Sequence, residues 1–315
     1  MASRKEAHSD RRELLLIVAP AVLAVGFAFW FAYQFVEPAP PSQVTITTGL
    51  NTGAYYAFAK RYAAILAKSD ITLDVESSAG SLQNLSRLRD KGSDVTLALL
   101  QGGISNHKKD PELVSLGRVF LEPAWVFYTG SEKLERLAQL KGKRIAIGAE
   151  GSGTRVLALA LLEANDLNDE TATLLPLSGT EAADALAAGD VDATFLVLSP
   201  QAKLVGDLLR NPDIHLMSFK QAEAYTRIFQ YLSRVTLPAG VIDLDDQVPK
   251  EDVTLVAAQA ALVARADVHP AIVGLMVQAA REVHKSGGIF AHFEEFPKAY
   301  DPEFPMQNDA ERLYK

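Results

Sequence analysis

The sequence predicts an α/β protein of two similar lobes carried behind a single apolar N-terminal helix, and three observations predict it. First, the chain repeats: residues 44–100 read as strand, glycine loop, helix, strand, helix, strand, and residues 143–198 run through the same order. Gly49 answers to Gly148, Gly53 to Gly153, Gly80-Ser81 to Gly179-Thr180 and Asp94 to Asp192, displaced by 98 to 100 positions. Second, 315 residues at 48% hydrophobic and 22% charged suffice to bury one large or two medium α/β cores. Third, Leu14–Val36 runs without a charge.

Residues 1–13 carry Arg4, Lys5, Arg11 and Arg12, and no Lys or Arg follows the apolar run until Lys60. As a helix, 14–36 would measure about 34 Å, enough for a hydrocarbon core of about 30 Å. The positive-inside rule puts 1–13 in the cytoplasm and the remainder outside, so a single-pass protein of the inner membrane is expected. Trp30, Phe31 and Tyr33 fall where an outer aromatic belt would lie. The rival is a cleaved signal peptide, whose apolar region normally spans about 7 to 15 residues, and no small-x-small cleavage site stands near Val36. Residues 37–43 (EPAPPSQ) form a Pro-rich linker of roughly 20 Å.

Lobe 1 begins at 44. Val44–Thr48 is a strand, Tyr55–Leu66 a helix with an apolar stripe, Ile71–Val75 a strand, Ser81 opens a second helix, and Val95–Leu100 is the third strand. Lobe 2 repeats these as Arg144–Ile147, Thr154–Ala164, Thr173–Leu177, Thr180–Ala188 and Ala193–Leu198. Long crossings are expected near Val119–Tyr128 and Thr254–Val263. The division is therefore 44–124 for the first part of lobe 1, 125–254 for lobe 2, and 255–315 for the return to lobe 1, with a helix at His269–His284, and the C-terminal tail.

The candidate site lies in the loops between strands and helices. Gly49–Gly53, with Asn51 and Thr52, and Gly148–Thr154, with Ser152 and Gly153, each follow a strand and open a helix. Glycine lets the backbone turn tightly, and the helix start aims unpaired N–H groups and a positive dipole end at one point, which favours an anion. Arg155 is the natural countercharge, or else a surface arginine paired with Glu150 or Glu163. Ser81 and Thr180 offer hydroxyls to the same space or cap their helices. Gln101 and Ser199 are placed only by following a third strand. Either Tyr55 or Tyr56 can face a ligand, the other packing inward; Trp125 and Phe195 read as core.

Several classes are excluded. Without cysteine there is no disulfide, thiolate metal site, thiol catalysis or N-terminal lipid on cysteine. A net charge of -8 argues against nucleic acid. Thr154-Arg155 stand where a P-loop needs Lys and Ser/Thr, and no G-x-G-x-x-G, G-x-S-x-G or H-E-x-x-H occurs. No catalytic residue, metal or cofactor is therefore expected. A transferase on the same scaffold, or a solute sensor signalling through a separate membrane partner, are the alternatives to a transport receptor.

Four segments carry a resemblance: TTGLNTGAYYAFA, AGSLQNLSRLRDKGSDVTLALLQ, LKGKRIAIGAEGSGTR and GDVDATFLV. They resemble the TAXI family, the solute-binding subunits of tripartite ATP-independent periplasmic (TRAP) transporters, over Val44 to Gly288. The resemblance implies a type II periplasmic-binding-protein fold that captures a small organic anion or amino acid, such as glutamate or a dicarboxylate, and passes it to a TRAP-type permease. It implies ligand-facing roles for Asn51, Gly53 and Tyr55, and suggests Gly80, Ser81, Asn84, Ser152, Gly153 and Thr154. Asn84 reads equally as an ordinary first-turn helix residue. A retained membrane helix departs from the usual released or lipid-linked receptor.

Overall fold

The computed structural model describes residues 18–31 and 39–315, which fall into two compact units, 1–40 and 41–315. In the first unit, helix α1 covers 18–31, and its apolar side chains are exposed all round, from Val22 (64%) and Leu23 (73%) to Phe29 (74%) and Trp30 (57%). Among the described residues no helix is long and apolar enough to cross a membrane. The predicted span 14–36 extends past α1 at both ends, outside the described residues, as do the N-terminus 1–13 and the start of the linker.

The second unit realises the repeat. Strand β1 (Gln43–Thr47) pairs in parallel with β2 (Thr72–Glu76) on one side and β3 (Val95–Gln101) on the other. In the other lobe β5 (Arg144–Ala146) stands between β6 (Thr173–Leu175) and β7 (Ala193–Val197), again all parallel. Helices α2 (Ala54–Leu66) and α3 (Ser81–Arg89) connect the first set, and α4 (Gly153–Glu163) and α5 (Gly179–Ala188) the second. Parallel strands need such crossovers, and the helices supply the apolar faces that bury both sides of each sheet.

Two long strands run from one lobe to the other. β4 (Leu113–Thr129) and β10 (Val253–Arg265) pair antiparallel from Leu113–Arg265 to Pro123–Ala257. Leu116, Val119, Ala260 and Leu262 sit in the lobe 1 core, whereas Trp125, Phe127, Leu255 and Val256 sit in that of lobe 2. The sheet order is β2-β1-β3-β10-β4-β7-β5-β6, with β8 (Ile214–Leu216) against β4 and β9 (Leu232–Leu237) against β10. Trp125 and Phe195 are packing groups, 0% and 1% exposed.

The chain ends on lobe 1. Helix α8 (Pro270–His284) packs on α2, and α9 (Asn308–Tyr314) packs on α8. Tyr314 Oη donates to Leu116 O at 2.8 Å, and a Cβ at Gly117, where φ is +124°, would come within 2.6 Å of that hydroxyl. The tail also delivers Asp301 and Glu303 to the fully buried Arg118, at 2.7 and 2.8 Å. Burying a guanidinium carries a desolvation cost that such partners offset.

Candidate functional site

Each lobe contributes a loop, and the two loops touch. On lobe 1, Gly80 caps α3 at φ +132°, a conformation open to glycine alone. A Cβ there would lie 3.8 Å from Gly151 O, Gly153 N and Ser152 Cα of the other lobe. On lobe 2, Ser152 caps α4, accepting from Arg155 N at 3.2 Å and donating to Ala149 O at 2.7 Å. The N-termini of α3 and α4 thus meet at one point, each with first-turn N–H groups that have no carbonyl within the helix.

Gln101 bridges the contact. Its N–H donates to Ser81 Oγ at 3.0 Å, and its Nε2 donates across the lobes to Gly153 O at 2.9 Å. A Cβ at Gly153 would come within 2.5 Å of Gln101 Oε1, so a larger residue there would push the Gln101 amide out of this position. Ser81 therefore holds the end of β3 and is no helix cap, and Thr180, its counterpart, is exposed. Ser199 bonds Gln201 within its own turn.

Tyr55 starts α2 and points inward. Its hydroxyl donates to Glu122 Oε2 at 2.6 Å, with Ser81 nearby, while its ring meets Phe120 edge-on at 5.8 Å. Glu122 belongs to β4, beside the point where that strand changes lobes, and it was not singled out from the sequence. Desolvation pushes its carboxyl up to about 7 against the opposing effect of the Tyr55 bond. The Tyr55 hydroxyl is raised well above its usual value, by burial first and by Glu122 second. Among the described residues no Lys, Arg or His nitrogen lies within 4 Å of Glu122.

The other predicted residues divide. Arg155, in the first turn of α4, pairs with neither Glu150 nor Glu163, and its Nη1 is buried without a hydrogen-bond partner. Asn84 has no exposed surface. Its Oδ1 accepts from Thr47 Oγ1 (2.8 Å) and Ser78 Oγ (2.6 Å), and its Nδ2 donates to Thr48 O and to Leu99 O (2.9 Å). Both amide ends are used bracing β1, β3 and the loop from behind. Asn51 and Thr52 stand at an exposed turn and make no side-chain hydrogen bond to the other candidates. Gly53 closes that turn, its N–H donating to Leu50 O at 2.8 Å, and Thr154 is half-buried against Gly148.

The structure therefore brings together Tyr55, Gly80, Ser81, Gln101, Ser152 and Gly153, and adds Glu122. The loops are in contact, not parted by a gap. Two hollows, about 590 Å³ beside α8 and α9 and about 270 Å³ beside Lys203–Arg210, lie elsewhere. Among the described residues no cluster of three His, Asp or Glu side chains is placed to hold a metal.

Two α/β lobes joined by two crossing strands, with glycine loops facing each other beside the crossing, define the fold of periplasmic solute-binding proteins. The chain is similar to the alkanesulfonate-binding protein SsuA of Xanthomonas axonopodis pv. citri bound to MOPS: TM-score 0.51, 18% identity, over 78% of this chain and 74% of that one. It is similar also to the periplasmic aliphatic sulphonate binding protein SsuA of Escherichia coli (0.50, 16%, 78% and 69%) and to a Bordetella bronchiseptica protein (0.53, 15%, 79% and 73%). The chain belongs to the NMT1-like family, which matches residues 46–287. That match does not single out the TAXI family that the four segments resemble.

Proposed function

We propose that this protein is a membrane-anchored extracytoplasmic receptor that closes on a small organic anion or amino acid, glutamate-like or dicarboxylate-like, and delivers it to a TRAP-type permease without chemistry. The observation that carries this reading is the meeting of α3 and α4 at their N-termini beside Arg155, whose Nη1 is buried and unpartnered. Helix starts and a spare guanidinium select negative charge. Micromolar capture needs about 8 kcal/mol, and charged hydrogen bonds contribute roughly 1.5 to 3 kcal/mol each, so donors from both lobes are required. The contact through Gln101 is then the closed form, and a ligand enters when the lobes part.

The similar SsuA structure is of a protein that binds alkanesulfonates, so the ligand screen should include sulfonates beside carboxylates. The apolar and wholly exposed α1 supports an anchor at 14–36. Thermal-shift and calorimetric screening of the detergent-solubilised full chain against dicarboxylates, amino acids and alkanesulfonates tests the site. Ser152→Ala and Thr154→Val are expected to weaken the best ligand without unfolding the protein; unchanged affinity in both removes the lobe 2 loop from the site. Membrane fractions washed with alkaline carbonate should retain the protein, and its release into the wash would refute the anchor.

A further inference from the structure

Among the described residues Glu122 has no Lys, Arg or His nitrogen within 4 Å, and Tyr55 links it toward the meeting loops. Tyr55 Oη donates to it at 2.6 Å and lies near Ser81, without a hydrogen bond to it; Ser81 Oγ accepts from Gln101 N at 3.0 Å, and Gln101 Nε2 donates to Gly153 O at 2.9 Å. The chain of contacts thus runs from β4 beside the lobe crossing to the loop of the opposite lobe. Glu122 is partly exposed as a residue, while its carboxyl is shielded enough for desolvation to raise it, so solvent and ligand reach it when the lobes part.

Apart from Arg155, the charged and titratable groups on the surrounding elements are engaged elsewhere. On β4, Arg118 is held by Asp301, Glu303 and Gln259 O. On α2, Arg61 donates to Val283 O, and Tyr55 stays protonated. On α8, His284 stacks on Phe120 and is kept neutral by burial, which lowers it to about 3. On β10, Ala258 stands opposite Glu122 and offers no charge. On α3, Arg87 pairs with Glu76, and on α4 Arg155 forms no ion pair with Glu122.

We propose that Glu122 determines which charge state this site accepts: an anion held by the glycine loops binds together with one proton, which Glu122 takes from solvent. The inference rests on the anion-site reading above. An anion beside an uncompensated carboxylate repels it, and protonation removes the repulsion while leaving an O–H that can donate to the ligand. With Glu122 already near 7 in the empty site, a nearby anion raises it further. Proton uptake is therefore absent well below pH 7, where Glu122 is already protonated. It grows above 7 until the bound-state value is passed.

The test is calorimetry on the full-length protein in detergent with glutarate and L-glutamate as probes, in phosphate and in Tris, from pH 6 to 8.5. Uptake is expected to rise toward one proton above pH 7, with affinity falling by up to about tenfold per pH unit. Glu122→Gln should abolish both the uptake and the pH dependence. Tyr55→Phe removes the bond that favours the ionised form, so it should keep the uptake but move it to higher pH, and it guards against a Gln variant that fails to fold. Binding with no buffer dependence, the same uptake in Glu122→Gln, or affinity that rises with pH as an ammonium seated on Glu122 would give, overturns the inference and leaves the anion site standing. Binding of neither probe, with no ligand in the wider screen, overturns the site and the inference together.

Discussion

The two lobes share a backbone and differ in what fastens it. In lobe 1 the loop before α3 is tied down by a buried polar knot of Thr47, Ser78 and Asn84, with Arg87 donating to Thr47 Oγ1 at 2.8 Å. Ninety-nine positions later the same places hold Ala146, Leu177, Ala183 and Leu186. The backbone bond from Thr48 N to Glu76 O recurs as Ile147 N to Leu175 O, so the strands keep their register while every side-chain tie is replaced by apolar packing. The difference teaches that the repeat preserves geometry and redistributes chemistry. Lobe 1 is pinned from behind, whereas lobe 2 relies on a helix cap at Ser152 and leaves its Arg155 uncommitted.

The comparison can be broken most severely at its knot. Asn84→Ala leaves Thr48 O, Leu99 O and two hydroxyls without their partner, and a loss of about 3 kcal/mol is expected in denaturant melts. The mirror change, Ala183→Asn, places an amide where no polar partner waits and should cost about 2 kcal/mol. If Ala183→Asn were neutral, lobe 2 would have hidden polar capacity and the contrast would dissolve. Arg155→Ala should weaken the best ligand by about 10- to 100-fold, the worth of one charge-assisted bond, while stability changes by less than about 0.5 kcal/mol. Matching losses of stability and affinity would make Arg155 a structural residue instead.

A pH-dependent effect concerns Glu122 in the empty protein. Its carboxyl is raised, so between the ordinary glutamate value near 4.5 and about 7 the folded state holds a proton that the unfolded chain has released. Stability then declines as pH rises through that window and levels off above it. The wild-type-minus-Glu122→Gln difference in denaturation midpoint, followed from pH 4.5 to 8, should show this slope; a flat difference would mean that the group titrates as an exposed carboxyl.

Much of this architecture was legible because the repeat is written in glycines. Gly80, Gly148 and Gly153 mark where each strand gives way to a helix, and both predicted crossings fall inside β4 and β10. The short β8 and β9 were not read, because they add to strands already in place and carry little periodicity of their own. Asn84 was read as either a ligand group or a plain helix residue and is a brace, since its partners come from β1 and β3 and only tertiary packing gathers them. Glu122 left no local signal either. Its meaning depends on the register that sets β4 under α2, which brings Tyr55 from 67 positions away.

The central claim is that the lobes close on an anion at the Gly80–Gly153 contact. The chain has no cysteine, so Ser86→Cys on α3 and Glu163→Cys on α4 place two spin labels, one on each lobe, with no competing thiol. Pulsed dipolar spectroscopy of the full-length protein, with and without millimolar glutarate, L-glutamate or ethanesulfonate, reads the distance between them. At least one of these anions is expected to collapse a broad distribution onto a single short distance. A distribution that none of them changes would contradict the account.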